Sequence, residues 1–179
     1  MRCNGDMEEV IVKDANVLID LMKIGLMVHC SALGFKFHTT DSVKYEIKRL
    51  PQAKLLQTMV DNGQIVIDTI ADDDYTELLL MHMQYSQSSN LTEADCSVML
   101  LAEKLKARLL TSDQKLIRQA KARGIQVNGI LWLTDKMVER GVVSKPEMIK
   151  YLEKLKETNQ RAPRKLIEDR IAKYREYVI

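Results

Sequence analysis

Residues 91–113 read LTEADCSVMLLAEKLKARLLTSD, and this stretch decides the fold. Thr92 places a hydroxyl ahead of an apolar run that continues to Lys106 without glycine or proline, which is how a capped helix begins. Arg108 to Thr111 (RLLT) then switches to a short β run, and Asp113 opens a second, basic helix ending near Arg123. Gly124 stops that helix, and Ile125 to Val127 gives another strand. Helices and strands that alternate over short connections predict a parallel or mostly parallel sheet covered by helices on both faces.

Reading outward, the same alternation holds. Glu9 to Val12 is a β-prone run, Asp14 stands at the junction, and Ala15 to Leu26 carries Val17, Leu18, Leu21, Met22 and Leu26 near helical spacing. Phe35 to Thr39 is a second strand. Asp41 is expected to cap a helix that turns Val43, Ile47 and Leu50 inward and ends before Pro51, with Glu46 on it. Ile65 to Ile70 is a third strand, and Asp72, Asp73 and Asp74 head a helix through about Gln84. Residues 85–90 read YSQSSN and are expected to form a mobile loop, because they offer little apolar surface to offset the entropy of ordering. From Ile130 onward only helices are expected, with Pro146 and Pro163 near the starts of two of them.

The chain has 179 residues, enough for one full core and too few for two ordinary domains. The reading is an α/β domain over residues 1–140 with a helical extension over 141–179 packed on or beside it. Hydrophobic residues at 46% and charged residues at 29% exclude a disordered chain or a collagen-like repeat. Cys3, Cys30 and Cys96 are odd in number and lack CxxC spacing, so they define neither a disulfide framework nor a zinc site, and they point to a reducing compartment. No uncharged apolar run approaches the ~20 residues that span a bilayer. Asp6, Glu8 and Glu9 close to Arg2 do not fit a signal peptide, so a cytoplasmic protein without membrane attachment is expected.

Charge is unevenly spread around a net +2. Residues 144–179 hold 10 basic and 6 acidic side chains, and a second basic stretch runs from Glu103 to Arg123 with Lys115 and Arg118 three apart. Such stripes suit a polyanion, although a solvated helix face is the readier explanation of either stripe taken alone.

Ligands of open α/β sheets bind beyond the carboxyl ends of the strands. Asp14 and Asp113 each follow a β run, Asp95 lies in the first turn of a helix, and Glu46 reaches in from the helix after the second strand. Two carboxylates ~4 Å apart repel by about 4 kcal/mol at an effective dielectric of ~20, so convergence of four calls for a cation. All-oxygen ligands favour Mg²⁺ or Mn²⁺ over zinc, and such a cluster can activate water and steady the departing oxygen of a phosphodiester. Position alone does not separate these acids from capping aspartates such as Asp41 and Asp72.

The segments VKDANVLIDL (residues 12–21), DSVKYEIK (41–48), residues 91–113 quoted above and QKLIRQAKARGIQVNGIL (114–131) resemble the PIN-domain nucleases in the same order. The resemblance extends to the toxins of bacterial and archaeal toxin–antitoxin pairs and to relatives with an added helical tail, here residues 145–171. Matched position by position, it implies an acidic site of Asp14, Glu46, Asp95 and Asp113, with Asn16 and Thr111 as polar neighbours. It further implies metal-dependent endonuclease cleavage of RNA. Gln114 and Lys115 follow Asp113, so the extra carboxylates of structure-specific DNA nucleases in this superfamily are missing, which favours RNA. Glu93 is an alternative to Asp95, but residues two apart on a helix point in different directions.

A non-catalytic RNA- or partner-binding module on the same scaffold is the alternative. A haloacid-dehalogenase-like phosphatase would need a second aspartate two after the first, where this chain has Asn16. Lys115 and Arg118 are expected to guide RNA. A homodimer and a cognate antitoxin are expected partners, using apolar residues from Ile130 onward: Leu131, Trp132, Leu133, Met137, Val138, Val142 and Val143. His29, His38 and His82 share no ligand spacing, Met81 and Met83 read as core filling, Trp132 as packing, and Asp20 as lying on the exposed side of the first helix.

Overall fold

Strand β1 (Val10–Lys13) lies at the centre of a five-stranded, wholly parallel sheet in the computed structural model, which describes residues 9–176. Cys3, Asp6 and Glu8 lie outside the described residues. The other strands are β2 (Lys36–Thr40), β3 (Val66–Asp68), β4 (Arg108–Leu110) and β5 (Val127–Asn128), in the order β3-β2-β1-β4-β5. Register is continuous across the centre: Val12 stands opposite His38 of β2 and Leu109 of β4. The order runs one way from β1 to β3 and the other way from β4 to β5, so the chain reverses direction between β1 and β4. Right-handed crossovers then put the helices of the two halves on opposite faces.

The helices are α1 (Ala15–Ile24), α2 (Asp41–Glu46), α3 (Leu50–Asp61), α4 (Asp72–Ser88), α5 (Glu93–Leu105), α6 (Gln114–Ala122), α7 (Ile130–Glu139), α8 (Lys145–Thr158) and α9 (Arg164–Arg175), with a 3-10 segment at Met27–Leu33. Val17, Leu18 and Leu21 of α1 are fully buried, and the helix stops at Gly25, whose φ of 86° suits a residue without a β-carbon. Helix α5 buries every residue from Cys96 to Ala102 and packs on β1, β2 and β4, as a helix apolar on all sides must.

The local reading is corrected in four places. The helix expected from Asp41 to Leu50 is two helices: α2 ends at Glu46, Leu50 is exposed, and Pro51 lies in the first turn of α3. Thr40, not Asp41, caps α2, with its hydroxyl accepting from the Val43 amide. The expected loop over 85–90 is mostly the last turn of α4, because Tyr85 is buried and the Ser88 hydroxyl donates to the Gln84 carbonyl. Asp20 is buried, and Asn159 at the end of α8 donates to its Oδ2 at 2.7 Å.

The C-terminal helices dock through specific polar contacts. Tyr151 of α8 meets His29 at 3.2 Å, and Asp135 of α7 accepts from the Arg170 guanidinium and from the Tyr174 hydroxyl of α9. Ile130, Leu131, Leu133, Met137 and Val143 are buried within the chain, and Trp132 stacks on Phe35 with ring centroids 5.7 Å apart. Ile130, Leu131, Leu133, Met137 and Val143 thus pack into this chain's own core, while Trp132, Val138 and Val142 are partly buried against it. Met81 is buried as expected, whereas Met83 is exposed. Among the described residues no single helix is long and apolar enough to cross a membrane.

Candidate acidic site at the carboxyl edge of the sheet

The reversal between β1 and β4 opens a crevice at the carboxyl ends of the strands, where ligands of such sheets bind. Asp14 sits there as the N-cap of α1, with 1% of its surface exposed. Its Oδ1 accepts from the Ala15 amide at 2.6 Å, and its Oδ2 accepts from Thr111 Oγ1 at 2.8 Å and Asn16 Nδ2 at 3.3 Å. Its backbone amide donates to the Leu110 carbonyl, which fixes it to the end of β4. Asp14 is therefore held from both strands of the reversal, and both polar neighbours matched by resemblance touch it.

Asp113 caps α6. Its Oδ1 accepts from the amides of Lys115 and Leu116, and its own amide donates to Thr111 Oγ1 at 3.1 Å. Thr111 thus links the two aspartates through one buried hydroxyl. Asp95 belongs to a capping box at the start of α5: Thr92 Oγ1 accepts from the Asp95 amide, and the Thr92 amide donates to Asp95 Oδ2 at 2.8 Å. Each of these three aspartates keeps a carboxylate oxygen at a helix start, so the capping role and a site role coexist in the same side chains.

Glu46 closes α2, and two hydroxyls that sequence reading did not single out hold its helix. The Thr40 hydroxyl accepts from the Val43 amide and meets Ser97 Oγ of α5 at 2.7 Å, while Ser97 donates to the Ala94 carbonyl. This buried chain pins the start of α2 to the first turns of α5, beside Asp95. The signal available in the sequence was the pair Thr39-Thr40 ahead of Asp41, since threonine caps helices as well as aspartate does.

Three of the acids, Asp14, Glu46 and Asp95, hold protons more readily than free carboxylic acids do. Burial is the largest cause of Asp14 rising to about 7, followed by the charge of Asp95, with Glu46 adding to it. Burial also raises Glu46 and Asp95, with Asp95 pushing on Glu46 and Asp113 pushing on Asp95. Lys115 pulls Asp95 the other way. The charges of Glu46, Asp95 and Asp113 thus act on neighbouring acids of the group from different elements, with Asp14 buried, Asp95 and Asp113 half-buried, and Glu46 exposed as Glu93 is. Among the described residues no three acidic, histidine or cysteine side chains form a ready-made metal cage. The donor set nevertheless fits a hard divalent ion: oxygen atoms only, one carboxylate almost wholly buried, and repulsion that a cation would relieve.

Much of the basic stretch from Glu103 to Arg123 is already paired. Arg123 pairs with Glu103, Lys104 with Asp74, and Arg108 with Glu9 while lying over the Trp132 ring. Lys115 and Arg118 are exposed and enter no ion pair among the described residues.

A parallel sheet whose reversal point gathers acids around one buried aspartate defines a class of α/β domain made to hold charge at its strand ends. The chain belongs to the PIN-domain family: the family model DUF3368, described as a PIN domain, matches residues 10–176. Among solved structures it is similar to PAE2754 from Pyrobaculum aerophilum, at 17% identity and a TM-score of 0.50, over 76% of this chain and 100% of that one. It is also similar to a PilT N-terminus domain protein, SSO1118, from Sulfolobus solfataricus P2, at 15% identity and a TM-score of 0.40, over 69% of this chain and 89% of the other. The likeness to PAE2754 is one of fold. None of the curated proteins compared with the chain matches it.

Proposed function

We propose that the protein is an Mg²⁺- or Mn²⁺-dependent endoribonuclease and the toxin of a toxin–antitoxin pair. The observation that carries the nuclease reading is the gathering of carboxylates at the sheet's reversal point, where the buried Thr111 hydroxyl bonds both the Asp14 carboxylate and the Asp113 amide and the charges of Asp95 and Glu46 act on Asp14. Asp14, Glu46, Asp95 and Asp113 would hold the ion, which when bound supplies a Lewis acid and a water of lowered pKa for attack on the phosphodiester. The chain's own work is positioning. Thr111 and Asn16 fix the Asp14 carboxylate, the capping box fixes Asp95, and the α6 amides fix Asp113. Lys115 and Arg118 neutralise substrate phosphates next to these acids. The toxin role rests on the sequence resemblance alone.

The test is cleavage of a single-stranded RNA carrying a fluorophore and a quencher, with Mg²⁺, with Mn²⁺ and with EDTA. Asp14→Asn and Asp113→Asn should each abolish cleavage while the far-ultraviolet circular dichroism stays that of the wild type. Activity that survives EDTA, or variants that cut normally, would sink the mechanism. RNA binding without cleavage would assign the chain to the non-catalytic module instead. Growth arrest on expression, relieved by the product of a short adjacent reading frame, checks the toxin role.

A further inference from the structure

Beside the acidic site lies a cavity of about 300 Å³ between the α4–α5 connection and α6. One wall is the stretch from Gln87 to Asn90, and the other is Lys115, Arg118 and Gln119. Every lining side chain is a carboxamide, a hydroxyl or a cation, without a carboxylate among them. The volume lies at the small end of ligand pockets, so it admits one nucleotide rather than a longer segment.

The wall that composition marks as a mobile loop is braced. Gln119 Nε2 donates to Ser89 Oγ at 2.8 Å, tying one wall to the other, and the Ser89 and Leu91 amides both donate to the Tyr85 carbonyl. Tyr85 and Leu91 are buried on either side of the stretch. Asn90 takes a left-handed φ of 55°, which turns the chain into the start of α5.

Both walls end at the acids. The Thr92 amide, two residues beyond Asn90, donates to Asp95 Oδ2, and the Lys115 amide donates to Asp113 Oδ1 at 2.8 Å. Two residues span at most about 7 Å, so the cavity is about one nucleotide step from the carboxylates. Carboxamides offer a donor and an acceptor side by side, the pattern that pairs with a base edge, and a guanidinium plane can stack on a base face.

We propose that this cavity is a base-reading subsite for the single unstacked RNA nucleotide adjacent to the cut phosphate, with Gln87 and Asn90 selecting the base and Arg118 holding it. The proposal rests on the nuclease reading, and its test separates the two. Four single-stranded RNA octamers, differing in one base beside a fixed cut position, are cleaved by the wild-type chain and by Gln87→Ala/Asn90→Gly, in which glycine tolerates the left-handed φ. The wild type should discriminate among the bases by about tenfold or more in kcat/KM, and the double variant by less than about threefold, as loss of a paired base edge predicts. Binding of the same octamers to Asp14→Asn, with and without the two changes, is followed by fluorescence anisotropy. If the wild type cuts nothing, a base preference in binding that the two changes erase keeps the subsite and removes the nuclease. A wild type without base preference, or a preference the double variant retains, overturns the subsite while leaving the four-acid site standing.

Discussion

The Thr111 hydroxyl donates to Asp14 Oδ2 at 2.8 Å while accepting from the Asp113 amide at 3.1 Å, so one side chain at the end of β4 sets the spacing of two acids that lie 99 residues apart. Thr111 is fully buried, and no water can replace it cheaply. Thr111→Val keeps the shape and removes both interactions. It should lower stability by about 1–3 kcal/mol and RNA cleavage by about tenfold or more, whereas Thr111→Ser should restore most of both. Thermal denaturation and single-turnover cleavage measure the pair of effects. A valine variant that cuts at the wild-type rate would show that the acids hold their places without Thr111.

Asp14 makes the stability of the metal-free chain depend on pH. Burial first, and Asp95 second, raise its pKa from 3.8 to about 7, so between these values the folded chain keeps a proton that the unfolded chain releases. The free energy of unfolding therefore falls as pH rises through about 7, by a few kcal/mol in all for this group, and the contribution is fully present only below about 4. In EDTA, the melting temperature of the wild type relative to Asp14→Asn should drop by at least about 4 °C between pH 5 and pH 8. Saturating Mg²⁺ should reverse most of the drop at pH 8, since a bound cation stabilises the ionised form. Parallel curves for the two proteins would mean that Asp14 is not buried as a charge.

The C-terminal helices depend on Asp135, which accepts from Arg170 Nε and Nη2 and from the Tyr174 hydroxyl at 2.7 Å. Asp135→Ala leaves a half-buried guanidinium and a buried phenol without their acceptor. The change should loosen α9 from α7, with limited proteolysis cutting within residues 159–176 before the rest of the chain. The loss of stability should be about 1–3 kcal/mol, because a hydrogen bond to a charged partner is involved. Cleavage of RNA should persist, as the acidic site lies on other elements. An unchanged digestion pattern would remove Asp135 from its docking role.

The parallel sheet was legible because short β runs alternate with helical periods, a pattern that local residues carry by themselves. Asp14 and Asp113 were legible as candidates from their places after β1 and β4, and Asp95 from its place in a helix's first turn, although only resemblance separated them from capping aspartates such as Asp41. Glu46 was not, since nothing in its spacing distinguishes it from a surface glutamate, and only resemblance matched it. The braced stretch after Tyr85 escaped because its order comes from contacts with α6, about 30 residues on, rather than from its own composition. The Thr40–Ser97 pair spans 57 residues and escaped for the same reason. Helix α4 misled differently: an apolar run reads as core whichever way it faces.

That outward apolar face motivates the last prediction. Tyr75, Leu79 and Met83 follow one another four residues apart on α4, with Leu80 beside them, and they are 49%, 40%, 67% and 62% exposed in that order. A row of large apolar side chains along one side of a 17-residue helix is more than scattered surface hydrophobicity. Several of the residues from Ile130 onward, first expected to supply a dimer contact, are buried in the chain's own core, and α4 offers a row of exposed apolar side chains to a second copy. A helix pairing with its own copy across a two-fold axis buries such a row on both partners at once, the commonest closed arrangement. The protein should therefore run as a dimer in light scattering at micromolar concentration. Leu80→Lys with Met83→Lys should give the monomer mass without changing the circular dichroism, since both side chains are exposed in the single chain. A wild type with a clean monomer mass would sink the dimer, and a dimer that survives both lysines would move the contact off α4.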